Sequence, residues 1–249
     1  MPAPGPAPED PAADWERRVV GRSLRAARAR SIDRAAALIR AATVLVERSG
    51  ADTFTVQDVA DEAGQSLRTL YQYFESKDDL LLAVFEEVMI TYARVVRTSI
   101  AGLDDPMERL AGALIAMARL PALTPTDASG GLARLRLRLA QVDPDLVGRA
   151  RAPIASLLLE LVTAADAAEA IETPDVEAAA YVLLTLSSAS TNTSTLGNDV
   201  GVAPSAPAQV VGFCLRGLGA DMTTDWYASV GGRLRLPAAP RRRKRAATA

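Results

Sequence analysis

Residues 53–82 read TFTVQDVADEAGQSLRTLYQYFESKDDLLL, and this stretch decides the fold because it holds two short amphipathic helices joined by a glycine turn. The Thr55 hydroxyl can cap a free backbone N–H, and Asp58, three residues on, closes a capping box. Val56, Val59, Ala60 and Ala63 then fall at i, i+3, i+4 and i+7, one apolar helix face. Gly64 ends that helix, since glycine takes the left-handed conformation without a Cβ clash.

Ser66 is a second cap, and Leu67, Leu70, Tyr71 and Phe74 repeat the same apolar spacing. The other side of this second helix carries Arg68, Thr69, Gln72 and Tyr73, all able to hydrogen-bond and none acidic. Such a face suits the DNA major groove, where Arg pairs bidentately with guanine and Gln with adenine. Tyr71 lies at the edge of the apolar face, so it is either a core tyrosine or one whose hydroxyl reaches a nucleic-acid backbone. Ser76 is a third cap with Asp79 at the box position, and Lys77 puts a cation in the first turn of the next helix. The helix dipole disfavours a cation there, and a bound phosphate would reverse the penalty.

These residues resemble the TetR family of bacterial transcriptional regulators. The resemblance rests on Thr55-Val-Gln-Asp-Val-Ala, Ala63-Gly64, the run from Ser66 to Phe74, and Ser76-Lys77 before a leucine-rich helix start, and it covers residues 31–90. Gln65 departs from the family pattern, which has a buried aliphatic at that place. The expected chain is all-α, with a three-helix helix-turn-helix DNA-binding domain at 31–80 and a helical-bundle ligand-binding and dimerisation domain at 81–232. Residues 1–30 are expected to be a disordered leader and basic arm, and 233–249 a basic disordered tail ending in Arg241–Arg245. By the resemblance, Thr55, Gln57, Ser66, Arg68, Thr69, Tyr71, Gln72, Tyr73 and Lys77 face double-stranded DNA. Arg68 and Gln72 would meet base edges, and Thr55, Ser66, Thr69, Tyr73 and Lys77 would meet phosphates.

The implied function is a ligand-responsive transcriptional regulator, a repressor that binds a palindromic operator as a homodimer and is released by a small apolar or amphipathic effector. A helical interaction or scaffold protein, or a DNA-binding dimer without an effector, would share much of this sequence pattern. An enzyme fits poorly. The chain has no histidine, which removes the commonest general base and histidine metal sites, and its single cysteine, Cys214, cannot build a thiolate cluster. No Gly-rich phosphate loop is present, so no metal and no cofactor are expected. Cys214, between Phe213 and Leu215, is expected to be a small buried hydrophobe. With no disulfide framework, no apolar signal core at the N-terminus and no run long enough to span a membrane, the expectation is a cytoplasmic protein.

A net charge of −2 does not by itself mark a DNA binder, so the distribution of charge decides. Arg17, Arg18, Arg22, Arg25, Arg28 and Arg30 make the segment before Ser31 basic, either as a solvated tail or as an arm on phosphates or in a minor groove. A first helix is predicted from Ser31 to Gly50, with Ile32, Ala35, Ile39, Ala42 and Val46 inward and Phe54 as a core plug beyond it. The helix opened by Ser76 continues to about Ile100 as the connector between domains. Further helices are predicted at Pro106–Leu120, Leu132–Val142, about Asp145–Ala170, Pro174–Leu196 and from Ser205 on, with PALTPTDASGG (121–131) as a loop. Thr173-Pro174 is read as the start of its helix.

Small residues around Ser187, Ser188, Ala189, Ser190, Thr191 and Thr193 suit either close intramolecular packing or a dimer interface. Effector-lining candidates are Tyr92, Met117, Arg136, Tyr181 and Thr185, for each of which plain core packing is the simpler alternative. Arg136 borders the apolar face made by Leu132, Leu135 and Leu139, where it meets either solvent or a ligand carboxylate or phosphate.

Overall fold

A computed structural model of the chain describes residues 11–50, 53–123, 126–196, 207–220 and 223–238, with no strand among them. The helix pair forms as its caps dictate. α2 (Val56–Glu62) starts from Thr55, whose hydroxyl accepts from Asp58 N at 3.2 Å while Thr55 N donates to Asp58 Oδ2 at 2.7 Å. Gly64 takes a positive φ of 62°, and Gln65 N closes the turn on the Ala60 carbonyl at 2.9 Å. α3 (Leu67–Tyr73) starts from Ser66, which accepts from Thr69 N at 3.1 Å. α4 (Lys77–Ser99) starts from Ser76, which accepts from Asp79 N, while the Asp79 carboxylate reaches back one residue further than expected, to Glu75 N at 3.0 Å.

α1 (Pro11–Ser49) does not begin at Ser31: it runs without interruption through the segment expected to be a leader and arm. Alanine and arginine dominate that segment, both strong helix formers, and a lone Gly21 does not outweigh them. Residues 1–10 lie outside the described residues. The inward face of α1 is broader than the predicted one and starts later. Ala42 and Val46 are buried and Ala35 and Ile39 pack against the core as predicted, joined by the buried Leu38, Ala41 and Leu45, whereas Ile32 is 57% exposed because α1 has already left the core by that turn. These residues pack with Phe54, Val59, Ala60, Leu70, Phe74, Leu80, Leu81, Val84 and Phe85 into one core, the head of the molecule.

α4 carries the chain from this core into a second one through Ala93, Val96 and Ile100. The second core, the body, is built from α5 (Pro106–Leu123), α8 (Ala152–Ala167), α9 (Val176–Leu196), α10 (Pro207–Gly217) and α11 (Thr224–Arg233). α11, capped by Thr223, has no counterpart among the predicted helices. Several predicted boundaries move. α5 passes through Pro121 instead of stopping at Leu120, and most of the predicted 121–131 loop is helix, since α6 (Thr126–Val142) starts well before Leu132. The Leu132 side chain lies outside the described residues. The single helix expected over 145–170 is two, α7 (Pro144–Ala150), capped by Asp143, and α8, separated at Arg151 with Pro153 in the first turn of α8. α9 is capped by Asp175, whose carboxylate accepts from Glu177 N and Ala178 N, and not by Thr173. Ser205 lies outside the described residues.

α6 belongs to both halves of the molecule. Its Leu135 and Leu139 are buried in the head core, and Arg138 pairs with Asp78 in the first turn of α4 at 2.9 Å. A Cβ on Gly131 would stand 2.7 Å from the Val46 carbonyl oxygen, so glycine is what lets α6 lie this close to α1. The start of the tail expected to be disordered is packed: Arg235 N donates to the Ser99 carbonyl at 3.0 Å, and Leu234 and Leu236 rest against the body core. Arg241–Arg245 lie outside the described residues.

Candidate nucleic-acid interface

α3 is anchored by its inner face and free on its outer one. Leu70 and Phe74 are buried, while Arg68 and Gln72, one turn apart, are exposed side by side. Tyr71 is 53% exposed, so it is not a core tyrosine. Tyr73 is half-buried, and its hydroxyl accepts a long hydrogen bond from Ser31 Oγ of α1 at 3.4 Å. Around α3, four candidate residues already serve the local fold. Ser66 and Thr69 hydroxyls lie 2.8 Å apart over the first turn, and the Thr55 hydroxyl donates to Asp58 Oδ2 at 2.8 Å. Gln57 Nε2 donates to Asp61 Oδ1 at 2.8 Å, which holds its exposed amide along α2.

Asp58 sits well for its capping role. Its carboxyl pKa is lowered from 3.8, mainly by the Thr55 backbone hydrogen bond and then by the Thr55 hydroxyl, with the Lys77 and Arg48 charges assisting against a small desolvation effect. Lys77 has an internal account as well. Its ammonium donates to the Phe54 carbonyl and lies 4.4 Å from the centroid of the Phe54 ring, so a carbonyl dipole, a π face and the neighbouring Asp78 and Asp79 offset the helix-dipole penalty without any phosphate. Gln65 takes the place of an aliphatic by donating from Nε2 to the Arg34 carbonyl of α1 at 2.9 Å, while its Oε1 is buried without a partner. Beyond the helix pair, Arg22, Arg25, Arg28 and Arg30 are exposed along α1. The side chains of Arg17 and Arg18 lie outside the described residues.

The effector-lining candidates separate into groups. Tyr92 and Met117 meet: Tyr92 Oη donates to the Met117 carbonyl at 3.1 Å inside the body core, and burial pushes the phenol pKa well above its ordinary value of 10.0. Arg136 is half-buried on α6. Tyr181 is 71% exposed on the outer face of α9, and Thr185, one turn on, is exposed too, so neither is enclosed in the body of this chain. Arg151, which sequence patterns did not single out, and Ser188, which they marked only as a small packing or interface residue, join them. Arg151, at the joint between α7 and α8, donates to Ser188 Oγ of α9 at 2.6 Å. An arginine before an Ala-Pro pair carries no spacing signal, and only the break between α7 and α8 brings it there. Cys214 is buried as expected, and burial raises its thiol pKa.

Among the described residues no group of three or more potential metal ligands occurs, and no helix is long and apolar enough to cross a membrane.

Residues 38–84, which run from the buried Leu38 to the buried Val84, match the family model described as bacterial regulatory proteins, tetR family. The HTH-type transcriptional regulator HbdR of Aromatoleum sp. (strain CIB) is 40% identical over 77 residues, 31% of this chain and 34% of that protein, so the chain matches about a third of its curated relative's length. Similar folds extend over much more of the chain. The ligand-free crystal structure of RolR superimposes with a TM-score of 0.59 at 18% identity, covering 82% of this chain and 98% of that one. RolR in complex with resorcinol gives 0.56 at 18% identity over 85% and 98% of the two chains. FadR from Bacillus subtilis, in complex with stearoyl-CoA, gives 0.56 at 19% identity over 73% and 97%. Residues 38–84, with the capped α2–α3 pair at their centre, are thus similar to the helix-turn-helix of the TetR family of bacterial regulatory proteins, and the fold of the described chain is similar to that of these solved structures.

Proposed function

We propose that this protein is a ligand-responsive transcriptional regulator that binds a palindromic operator as a homodimer and represses until a small apolar or amphipathic effector releases it. The observation that carries the DNA half is the outer face of α3, where Arg68 and Gln72 stand exposed and adjacent on a helix whose opposite face is locked into the head core. Two such helices related by a twofold axis would enter successive major grooves. Support for the dimer comes from apolar side chains left uncovered on neighbouring helices: Tyr181 and Val182 of α9 are 71% and 50% exposed, and Phe213 of α10 is 67% exposed. A soluble chain buries such a patch against a partner.

The effector half is supported by the two similar folds that bind resorcinol and stearoyl-CoA, and by the position of α6. Because α6 lends Leu135 and Leu139 to the head core and ties Arg138 to Asp78, a ligand that shifts α6 in the body also shifts the head. Selection of bound fragments from genomic DNA should return inverted half-sites. On that operator Arg68→Ala and Gln72→Ala should each cost about 1–3 kcal/mol and relax the base choice at one position, whereas Lys77→Ala should weaken all sequences alike. Unchanged affinity and preference in both α3 variants would refute the base-reading assignment. Replacing Arg25 and Arg28 by Gln tests α1 in the same assay, with the log-log salt slope falling by about one unit for each phosphate that α1 no longer neutralises.

A further inference from the structure

Among the described residues, the body contains two arginines on adjoining elements, and neither forms an ion pair. Arg136 is on α6 and Arg151 at the α7–α8 joint, and both are half-buried. Arg151 Nη2 donates to Ser188 Oγ, and the Ser188 proton is itself committed to the Leu184 carbonyl at 2.7 Å. Arg136 Nε is shielded from solvent and has no hydrogen-bond partner. The ion pairs among the described residues engage Arg48, Arg97, Arg138 and Arg233, and neither Arg136 nor Arg151 is among them. The proximity of the two charges registers at Arg151, whose pKa is lowered first by burial and then by the Arg136 charge, with Tyr181 acting in the opposite sense.

A lysine in this position could shed its proton, but a guanidinium cannot, so the pair stays doubly charged at any physiological pH. A shielded donor and an unpaired buried charge each carry a cost that an anion bound between them would relieve. The Nε edge of Arg136 is half of the fork that binds a carboxylate or phosphate through two parallel hydrogen bonds, and it is the edge turned away from solvent. α6 packs against α7 and α9, so two elements, α6 and the α7–α8 joint, bring guanidinium donors into the same part of the body, and Ser188 of α9 holds one of them.

We infer that Arg136 and Arg151, with Arg151 held by Ser188, form an oxyanion site that takes the carboxylate or phosphate group of a small organic acid. Its identification with the effector site rests on the regulator reading, and binding of the anion itself does not. The anion would draw α6 toward α9, and α6 is the helix that carries Leu135 and Leu139 into the head core.

The test is thermal unfolding of the full chain in sodium phosphate and in sodium octanoate, each against sodium chloride at matched ionic strength. Phosphate strengthens the folding of proteins generally through exclusion from their surface, so the quantity read is the difference between wild type and variants. At saturating oxyanion the wild type should gain about 3 °C or more over Arg136→Gln and Arg151→Gln. A gain with octanoate alone identifies a carboxylate ligand, and a gain with phosphate alone a phosphorylated one. In chloride, Arg136→Gln should melt above wild type, because it deletes an uncompensated charge; a structural arginine would show the reverse. Arg136→Lys, which retains a basic group and loses the fork, should respond less than wild type and guards against a misfolded glutamine variant. Equal responses in wild type and all variants, as from phosphate held on the DNA-binding face, would overturn the site, and so would a lower melting temperature of Arg136→Gln in chloride. If the anion response appears while genomic selection returns no operator, the site stands and the regulator reading falls.

Discussion

The α2–α3 pair and α5 each contain a residue that ordinarily stops a helix, Gly64 in the first and Pro121 in the second, and only Gly64 does so. At Gly64 the loose ends are satisfied by immediate neighbours: a positive φ turns the chain, Gln65 N bonds Ala60 O, and Ser66 caps α3. At Pro121 the missing N–H leaves the Met117 carbonyl, four residues back, without its helical partner. The Tyr92 hydroxyl from α4 donates to that carbonyl, and α5 continues to Leu123. Likewise Gly131 does not end α6, because it serves the close approach to Val46 of α1. A stop signal is decisive when the groups it frees can be satisfied locally. It is overruled when a side chain from a distant element supplies the missing partner.

The largest expected effect tests whether α6 belongs energetically to the head. Leu135→Ala should destabilise the chain by about 2–5 kcal/mol in urea unfolding, the range for a fully buried leucine, and should lower operator affinity as the head loosens. A cost well under 1 kcal/mol would mean that α6 only rests on the head, and the boundary between head and body would have to be redrawn.

Tyr92→Phe probes the tertiary rescue of Pro121. It leaves the buried Met117 carbonyl without a partner and should cost about 1–3 kcal/mol at neutral pH. The phenol pKa is raised in the folded chain, so its contribution is complete below the ordinary value of 10.0 and is lost as the pH climbs beyond it, when the unfolded chain releases the proton first. The gap between wild type and Tyr92→Phe should therefore narrow above pH 10. A constant gap through that range would sever the stability effect from the buried hydroxyl.

The smallest effect belongs to the region whose design is most local. Gln65→Leu removes the unpartnered Oε1, and the Arg34 carbonyl keeps its place in the α1 hydrogen-bond ladder, so the variant should gain about 1 kcal/mol. A loss of stability instead would show that the Gln65–Arg34 bond sets the packing of the turn on α1.

What could be read from the sequence alone is concentrated between Phe54 and Ser99. Thr55, Asp58, Gly64, Ser66 and Ser76 act within one helical turn of themselves, so their residue types carry nearly all the information about where α2, α3 and α4 begin, and with them the outward face of Arg68 and Gln72. Tyr71 is ambiguous in sequence because a residue at the edge of an apolar stripe is buried or exposed according to how far the neighbouring helix reaches. The run of α1 back to Pro11 and the cap at Asp175 also rest on local propensity and local bonds, whereas the tertiary structure decided the passage of α5 through Pro121, the break at Arg151 and the docking of Leu234 and Leu236. It also decided that α6, which carries Arg136, packs beside α7 and the Arg151 joint while Tyr181 faces outward. The physical reason is range. Caps and turns are satisfied by bonds that close over a few residues, whereas a helix that passes a proline, or a pair of arginines left without an acid, depends on groups brought together from α4, α6, α8 and α9, whose separation in the chain leaves no pattern in it.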